Sequence, residues 1–256
     1  MPSLDQQFQQ ACDAGDLPGV VLLASDTTGK FKYEKAFGLK SPGEKIDINA
    51  TFILASCTKL MTTIAAMQCV ERGEIKLDDD VSTILTELKG IQILTGFKEE
   101  TNEPLLTIAK NKITLRHKEH YLPPGVEARS APAISDDDQA RRKEEVRRRR
   151  AIGSATDFLK ILTSLCASST SVLLKPATID EMFTPQLALS GQRALTLYNA
   201  ALAETKTFTS RKSSTKLNFG LGGLLVLSDD ETGLKAGTMT WSGLPNLLWT
   251  IDRGSG

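Results

Sequence analysis

A chain of 256 residues with 40% apolar content is long enough to bury a substantial core. Its 31 basic and 31 acidic residues cancel, which leaves no overall field for nucleic acid or an anionic membrane and makes a neutral partner the default. The start "MPSLDQQFQQACDAGDLPG" has no basic end followed by an apolar run, and no stretch approaches the ~20 apolar residues of a membrane span, so the expected location is the cytoplasm. Cys12, Cys57, Cys69 and Cys166 stand singly, without the paired spacing of a zinc site, as reduced thiols used for packing.

In chain order, "GVVLLAS" from Gly19 is a short apolar run, "DTTGK" a turn, and "FKYEKAFG" alternates large apolar and charged residues, which together predict a hairpin. After Ser56, the residues Leu60, Ile64 and Met67 recur at helical spacing and Gly73 supplies the stop, so a helix begins at or near Ser56. "KLDDDVSTILTEL" reads as an acidic turn leading into a short helix. "ATDFLKILTSLCA" and "PATIDEMFTPQL" also read as helices, entered through Thr-Asp and proline caps, so the middle of the chain is expected to be helical. "FGLGGLLVLSDD", "AGTMTWSG" and "LPNLLWTIDR" are glycine-punctuated runs rich in β-formers and predict consecutive antiparallel strands. Strands at both ends with helices between them suggest one α/β (α+β) domain over residues 1–256 whose sheet joins the two termini.

Between residues 118 and 150 the periodicity fails. "PPGVEARSAPAISDDDQARRKEEVRRRR" combines proline, serine and dense charge with almost no apolar anchor, which predicts a charged, mobile excursion. The basic residues 147–150 would suit nucleic acid, but Asp136, Asp137, Asp138, Glu144 and Glu145 lie close by, and a solvated surface segment accounts for the run.

The stretch that bears on chemistry is Ser56-Cys57-Thr58-Lys59. A serine hydroxyl needs a neighbour to take its proton, and a lysine can do so when burial or another cation favours its neutral form. Positions i and i+3 across a helix start stack the two side chains on one face, next to free N–H groups. "FILA" before the serine and the amphipathic helix after it are expected to bury the pair. The same spacing at Ser213 and Lys216 lies in a polar loop and reads as chance. An ordinary helix cap is the competing reading of Ser56. Cys57 points about 100° away around the helix and reads as packing.

"FILASCTKLMTTIAAMQCVERGEIKLDDDV" resembles the first motif region of the serine β-lactamase-related superfamily, which takes in class C β-lactamases, penicillin-binding proteins, family VIII esterases and fungal lovastatin-type transesterases. "ITLRH", "ATDFLKIL…LLKPATIDEMFTPQL" and "FGLGGLLV…GTMTWSGLPNLLWTIDR" resemble later regions of the same family. The resemblance implies a β-lactamase/transpeptidase-like fold, with an antiparallel sheet built from N- and C-terminal strands and helices packed on it, the helical layer here reduced. It implies Ser56 as acyl-accepting nucleophile and Lys59 as its proton acceptor. Trp241, Ser242 and Gly243 would stand where other members carry Lys-Thr-Gly or His-x-Gly, with Trp241 a wall of the acyl pocket. The backbone N–H groups of Ser56 and Leu244 would form the oxyanion hole. The implied partners are a small-molecule ester or thioester donor and an alcohol acceptor, with an acyl-carrier domain as a further donor the resemblance allows. No metal or organic cofactor is called for.

The family's second motif, Tyr-x-Asn or a relative, does not occur here. Tyr33 and Tyr198 fall in the wrong order along the chain, which leaves Tyr121 in "HKEHYLPPG" as the substitute. "ITLRH" passes directly into the charged segment, where relatives continue into a leucine run and a helical insertion, and the chain also stops where they add a further strand and helix. His117 and His120 have metal-compatible spacing but supply only two ligands. The expected activity is that of a serine acyltransferase or esterase of secondary metabolism. The alternatives are a catalytically impaired remnant that keeps the fold, and an interaction protein using residues 136–150.

Overall fold

The computed structural model describes residues 2–117, 151–204, 215–244 and 246–255. The charged segment 118–150, with Tyr121, His120 and the basic run 147–150, lies outside the described residues, as do Ser213 and Ser214. The described residues divide into two compact units, one made of residues up to Ile64 together with those from 151 onward, the other of residues 65–117.

The first unit opens with helix α1 (Leu4–Asp13), which the sequence reading missed. Ser3 and Gln6 form a reciprocal capping box: the Ser3 hydroxyl accepts from the Gln6 N–H and the Ser3 N–H donates to the Gln6 side chain. Phe8 stacks on Phe37 at 6.1 Å and Tyr33 donates to Asp5 at 2.7 Å, which fastens α1 to the expected hairpin of β1 (Gly19–Ser25) and β2 (Lys32–Ser41). The short β3 (Glu44–Lys45) pairs with β2. β4 (Thr51–Ile53) then leads through a 3-10 turn (Ala55–Cys57) into helix α2 (Thr58–Glu71), which ends at Gly73 in the left-handed conformation, φ 73°.

β7 (Ile152–Ser154) lies antiparallel to β4 in the register Thr51↔Ser154, Phe52↔Gly153, Ile53↔Ile152, and the Leu54 N–H continues the ladder to the Ala151 carbonyl at 2.9 Å. Ser154 then caps helix α3 (Ala155–Cys166), accepting from the Asp157 N–H at 3.1 Å. Helix α4 (Pro176–Met182) follows, with proline at its start, and then helix α5 (Leu189–Glu204).

The last four strands, β8 (Leu217–Phe219), β9 (Leu224–Val226), β10 (Met239–Gly243) and β11 (Leu247–Ile251), form an antiparallel sheet in the order β11-β10-β9-β8. The N-terminal strands β1, β2 and β3 hydrogen-bond as a separate three-stranded sheet. Leu217, Leu225, Val226, Met239 and Ile251 of the C-terminal sheet are buried, as are Leu165, Ile179 and Met182 from α3 and α4. Trp249 meets Phe158 of α3 at 6.5 Å. The buried Asn218 side chain accepts from the Leu187 and Phe219 N–H groups and donates to the Leu187 carbonyl, so its burial is compensated by three hydrogen bonds to backbone.

In the second unit the expected short helix over "STILTEL" is replaced by two 3-10 turns, Val81–Thr83 and Thr86–Leu88. Asp80 caps the first by accepting from the Ser82 N–H, while Ile84 and Leu85 stay exposed, so no apolar face rewards a longer helix. The middle of the chain is also not wholly helical: β5 (Gln92–Phe97) and β6 (Pro104–Ile108) form an antiparallel hairpin. Arg116 clasps Asp78 through two hydrogen bonds of 2.7 and 3.0 Å, and the Val81 N–H reaches the Ile113 carbonyl, tying the end of this unit to its start. No helix among the described residues is long and apolar enough to cross a membrane.

Candidate active site

Ser56 lies in the 3-10 turn two residues before α2, not in the helix itself. Its hydroxyl is engaged by Lys59, whose Nζ stands 2.9 Å from Ser56 Oγ. That contact joins side chains; the helix-cap reading would have required a backbone N–H on Oγ. Leu54 is helical, φ −71°, but Ala55 is turned into the left-handed region at φ 45°. Holding an alanine there costs about 1–2 kcal/mol. A right-handed residue followed by a left-handed one is the backbone combination that makes successive N–H groups converge. Nothing in "FILAS" signals this, because alanine has no preference for that region.

Two neighbours hold the turn. The ladder from β7 fixes Leu54 from one side. From the other, Gly243 at the end of β10 approaches so closely that a Cβ there would lie 2.7 Å from the Leu54 carbonyl oxygen and 3.2 Å from both the backbone nitrogen and the Sγ of Cys57. The glycine therefore allows strand and serine turn to meet. Ser242 and Leu244 flank this contact, Ser242 half-buried and Leu244 82% exposed. The Trp241 ring meets Phe219 edge-on at 5.6 Å and packs against the buried cluster of Leu217, Phe219, Leu224 and Val226.

The expected burial of Lys59 is not found. Its side chain is exposed, so the walls of "FILA" and α2 do not desolvate it. Apolar residues on a helix next to a lysine shield only the lysine's stem; covering the amine takes a further segment laid across it. Tyr33 is occupied by Asp5, Tyr198 sits exposed on α5, and Tyr121 is outside the described residues.

Cys57 is buried beneath the turn, as its angular position suggested. Burial pushes its thiol up to about 11, partly offset by the positive field of Lys59. In the unfolded chain a thiol titrates near 8.5, so the buried neutral thiol favours the fold below that pH and the contribution is lost as pH rises towards 11. The melting temperature should accordingly fall between about pH 8.5 and 11 more steeply in the wild type than in Cys57→Ala. Equal slopes in a calorimetric pH series would show that the thiol is not held neutral.

The family model described as Beta-lactamase matches residues 4–117. The lovastatin esterase of Penicillium rubens is 29% identical over a span taking in 98% of this chain and 89% of that protein. The chain is thus similar to Beta-lactamase family proteins over residues 4–117 and to a fungal esterase over almost its whole length. Monacolin J acid methylbutanoyltransferase of Aspergillus terreus is 24% identical across 99% of this chain and 88% of its own length. The unliganded simvastatin synthase LovD from Aspergillus terreus superposes with a TM-score of 0.80 at 24% identity, covering 98% of this chain and 89% of that one. That likeness shows the mixed helix and antiparallel-sheet fold, as expected. The relatives are thus named as an esterase and an acyltransferase. The alignment with the esterase runs over 360 positions, so at least 104 of them face no residue of this 256-residue chain.

Proposed function

We propose that this chain is a serine esterase that works through an acyl-enzyme on Ser56, with acyl transfer to an alcohol as the secondary outcome. The observation that carries the reading is the 2.9 Å contact between Lys59 Nζ and Ser56 Oγ, on a strained turn clamped by Gly243. With Lys59 neutral, Ser56 Oγ bonds to the carbonyl carbon of an ester or thioester and its proton passes to Nζ. The backbone N–H groups of Ser56 and Leu244 would hold the resulting oxyanion. Collapse of that intermediate breaks the bond to the leaving group, which takes the proton from Lys59, and water or an alcohol then releases the acyl group by the reverse steps.

Exposure of Lys59 and Leu244 supports hydrolysis over transfer, because an alcohol acceptor wins only where the site excludes water. The exposed apolar side chains beside the turn, Ile53, Ile152 and Leu244, favour an apolar acyl group. The donors are small-molecule esters of the kind named for the relatives, with carrier-bound thioesters as a second class; Ser242 and Trp241 would contribute to the pocket on the β10 side.

The same exposure favours a second reading, in which the missing positions leave the pair without the cover that activates it and the protein is a catalytically impaired member of the family. Intact mass after incubation with a fluorophosphonate separates the two. A single adduct on Ser56, absent in Ser56→Ala together with p-nitrophenyl ester turnover, is expected of the esterase. A folded, unlabelled wild type would establish the second reading.

A further inference from the structure

Strands β5 and β6 carry apolar side chains where a surface hairpin ordinarily carries polar ones. Their register, Gln92↔Ile108, Leu94↔Leu106 and Phe97↔Pro104 with Thr95 bulged between Leu94 and Gly96, puts Leu94, Phe97, Pro104, Leu106 and Ile108 on one face. Leu94, Phe97, Leu106 and Ile108 are 49%, 42%, 50% and 67% exposed. Together they present on the order of 400 Å² of contiguous apolar surface, the size that marks an interaction site. Among the described residues the two strands pair only with one another, and a lone two-stranded hairpin is marginally stable in water.

The charges at its two ends point to the occupant. At the tip, Lys98 and Glu103 neutralise each other across 2.6 Å, which leaves Glu99 and Glu100 as an acidic pair. At the base stand the exposed Lys89, Lys110 and Lys112, offset in part by Asp80 and Glu87. Five residues of strand separate the two ends by about 17 Å, beyond the Debye length of about 8 Å at physiological salt, so each end acts on its own neighbour. Two such hairpins stacked in parallel would set acid on acid and base on base. Stacked antiparallel about a twofold axis, each acidic tip lies over the partner's basic base while the apolar faces cover each other.

We infer that this face is the interface of a homodimer in which a second copy of the chain packs its hairpin antiparallel on the first. About 400 Å² from each copy lies below the range of stable interfaces, so the association is expected to be weak and reversible.

Sedimentation velocity on the full chain from 1 to 200 µM tests it. The wild type should shift from monomer to dimer across this range and do so at lower concentration in low salt, and Leu106→Thr with Ile108→Thr should weaken the dimer at least tenfold. Glu99→Lys with Glu100→Lys makes both ends basic, and Lys110→Glu with Lys112→Glu makes the base acidic like the tip, so each double variant alone should stay monomeric. Mixed in equal amounts they should form a heterodimer, which also shows that both are folded. A wild type that sediments as a monomer throughout, as when residues 118–150 or another protein cover the face, overturns the inference. So do charge-reversed variants that dimerise alone as well as the wild type does.

Discussion

Lys59→Met is expected to lower kcat/KM for a p-nitrophenyl ester by about 10³-fold, within the range a positioned general base contributes, while leaving the melting temperature unchanged. Methionine keeps the length of the side chain but has no group to take the serine proton, so the 2.9 Å contact with Ser56 Oγ is lost. Because Lys59 is exposed, its replacement removes little packing and should alter stability by no more than about 0.5 kcal/mol. Lys59→Arg decides between two roles for the amine. A guanidinium donates hydrogen bonds as well as an ammonium does but never becomes neutral. If Lys59 accepts the proton, the arginine variant is as impaired as the methionine one. Should arginine preserve turnover, the side chain at 59 only orients Ser56, and the proton goes elsewhere.

Gly243→Ala carries the second large effect, and here stability and activity should fall together. The added Cβ would stand 2.7 Å from the Leu54 carbonyl oxygen and 3.2 Å from the Cys57 nitrogen. Both are backbone atoms, so no rotamer change relieves the clash, and β10 or the serine turn must move by several tenths of an ångström. Overpacking of this kind costs about 1–3 kcal/mol, and a displacement approaching 1 Å at a nucleophile costs about 10²-fold in rate. Gly96→Ala provides the control, since a Cβ there meets only the Leu105 side chain at an ordinary 3.9 Å. Thermal melts and ester kinetics on both variants check the pair. An alanine at 243 that leaves kcat and melting temperature untouched would show that the close approach does not set the geometry of Ser56.

The elements legible in the sequence are those whose period is written locally. β1 and β2 follow from an apolar run, a turn and an alternating run; α2 from helical spacing; α3 from a helical run with a cap; and β9, β10 and β11 from three glycine-punctuated runs of β-formers, the first of which also takes in the end of β8. α1 was missed: Ser3 and Gln6 stand at capping-box spacing, but the helix is too polar for an apolar period to stand out. β5 and β6 were missed as well, because apolar residues on both faces erase the alternation that identifies a strand. β4 and β7, three residues each, are too short for any period.

At the site, the order Ser56-x-x-Lys59 after an apolar run was enough to propose the pair, and their contact agrees with that placement. The exposure of the amine was out of reach, since what covers a side chain comes from segments far away in sequence. Gly243 was singled out through the family resemblance, yet its use against Leu54 and Cys57 depends on contacts that no local pattern encodes.

The ladder that joins Leu54 to Ala151, with the approach of Gly243 on the opposite flank, ties the nucleophile to two distant parts of the polypeptide. During synthesis a nascent chain that has emerged only as far as α2 carries the whole Ser-x-x-Lys sequence but neither of its clamps. Closing contacts across such separations is slow, so reactivity should arise only once β10 has been made and has reached the serine turn, and a premature stop anywhere before β10 would yield a protein with an intact signature and an untethered serine.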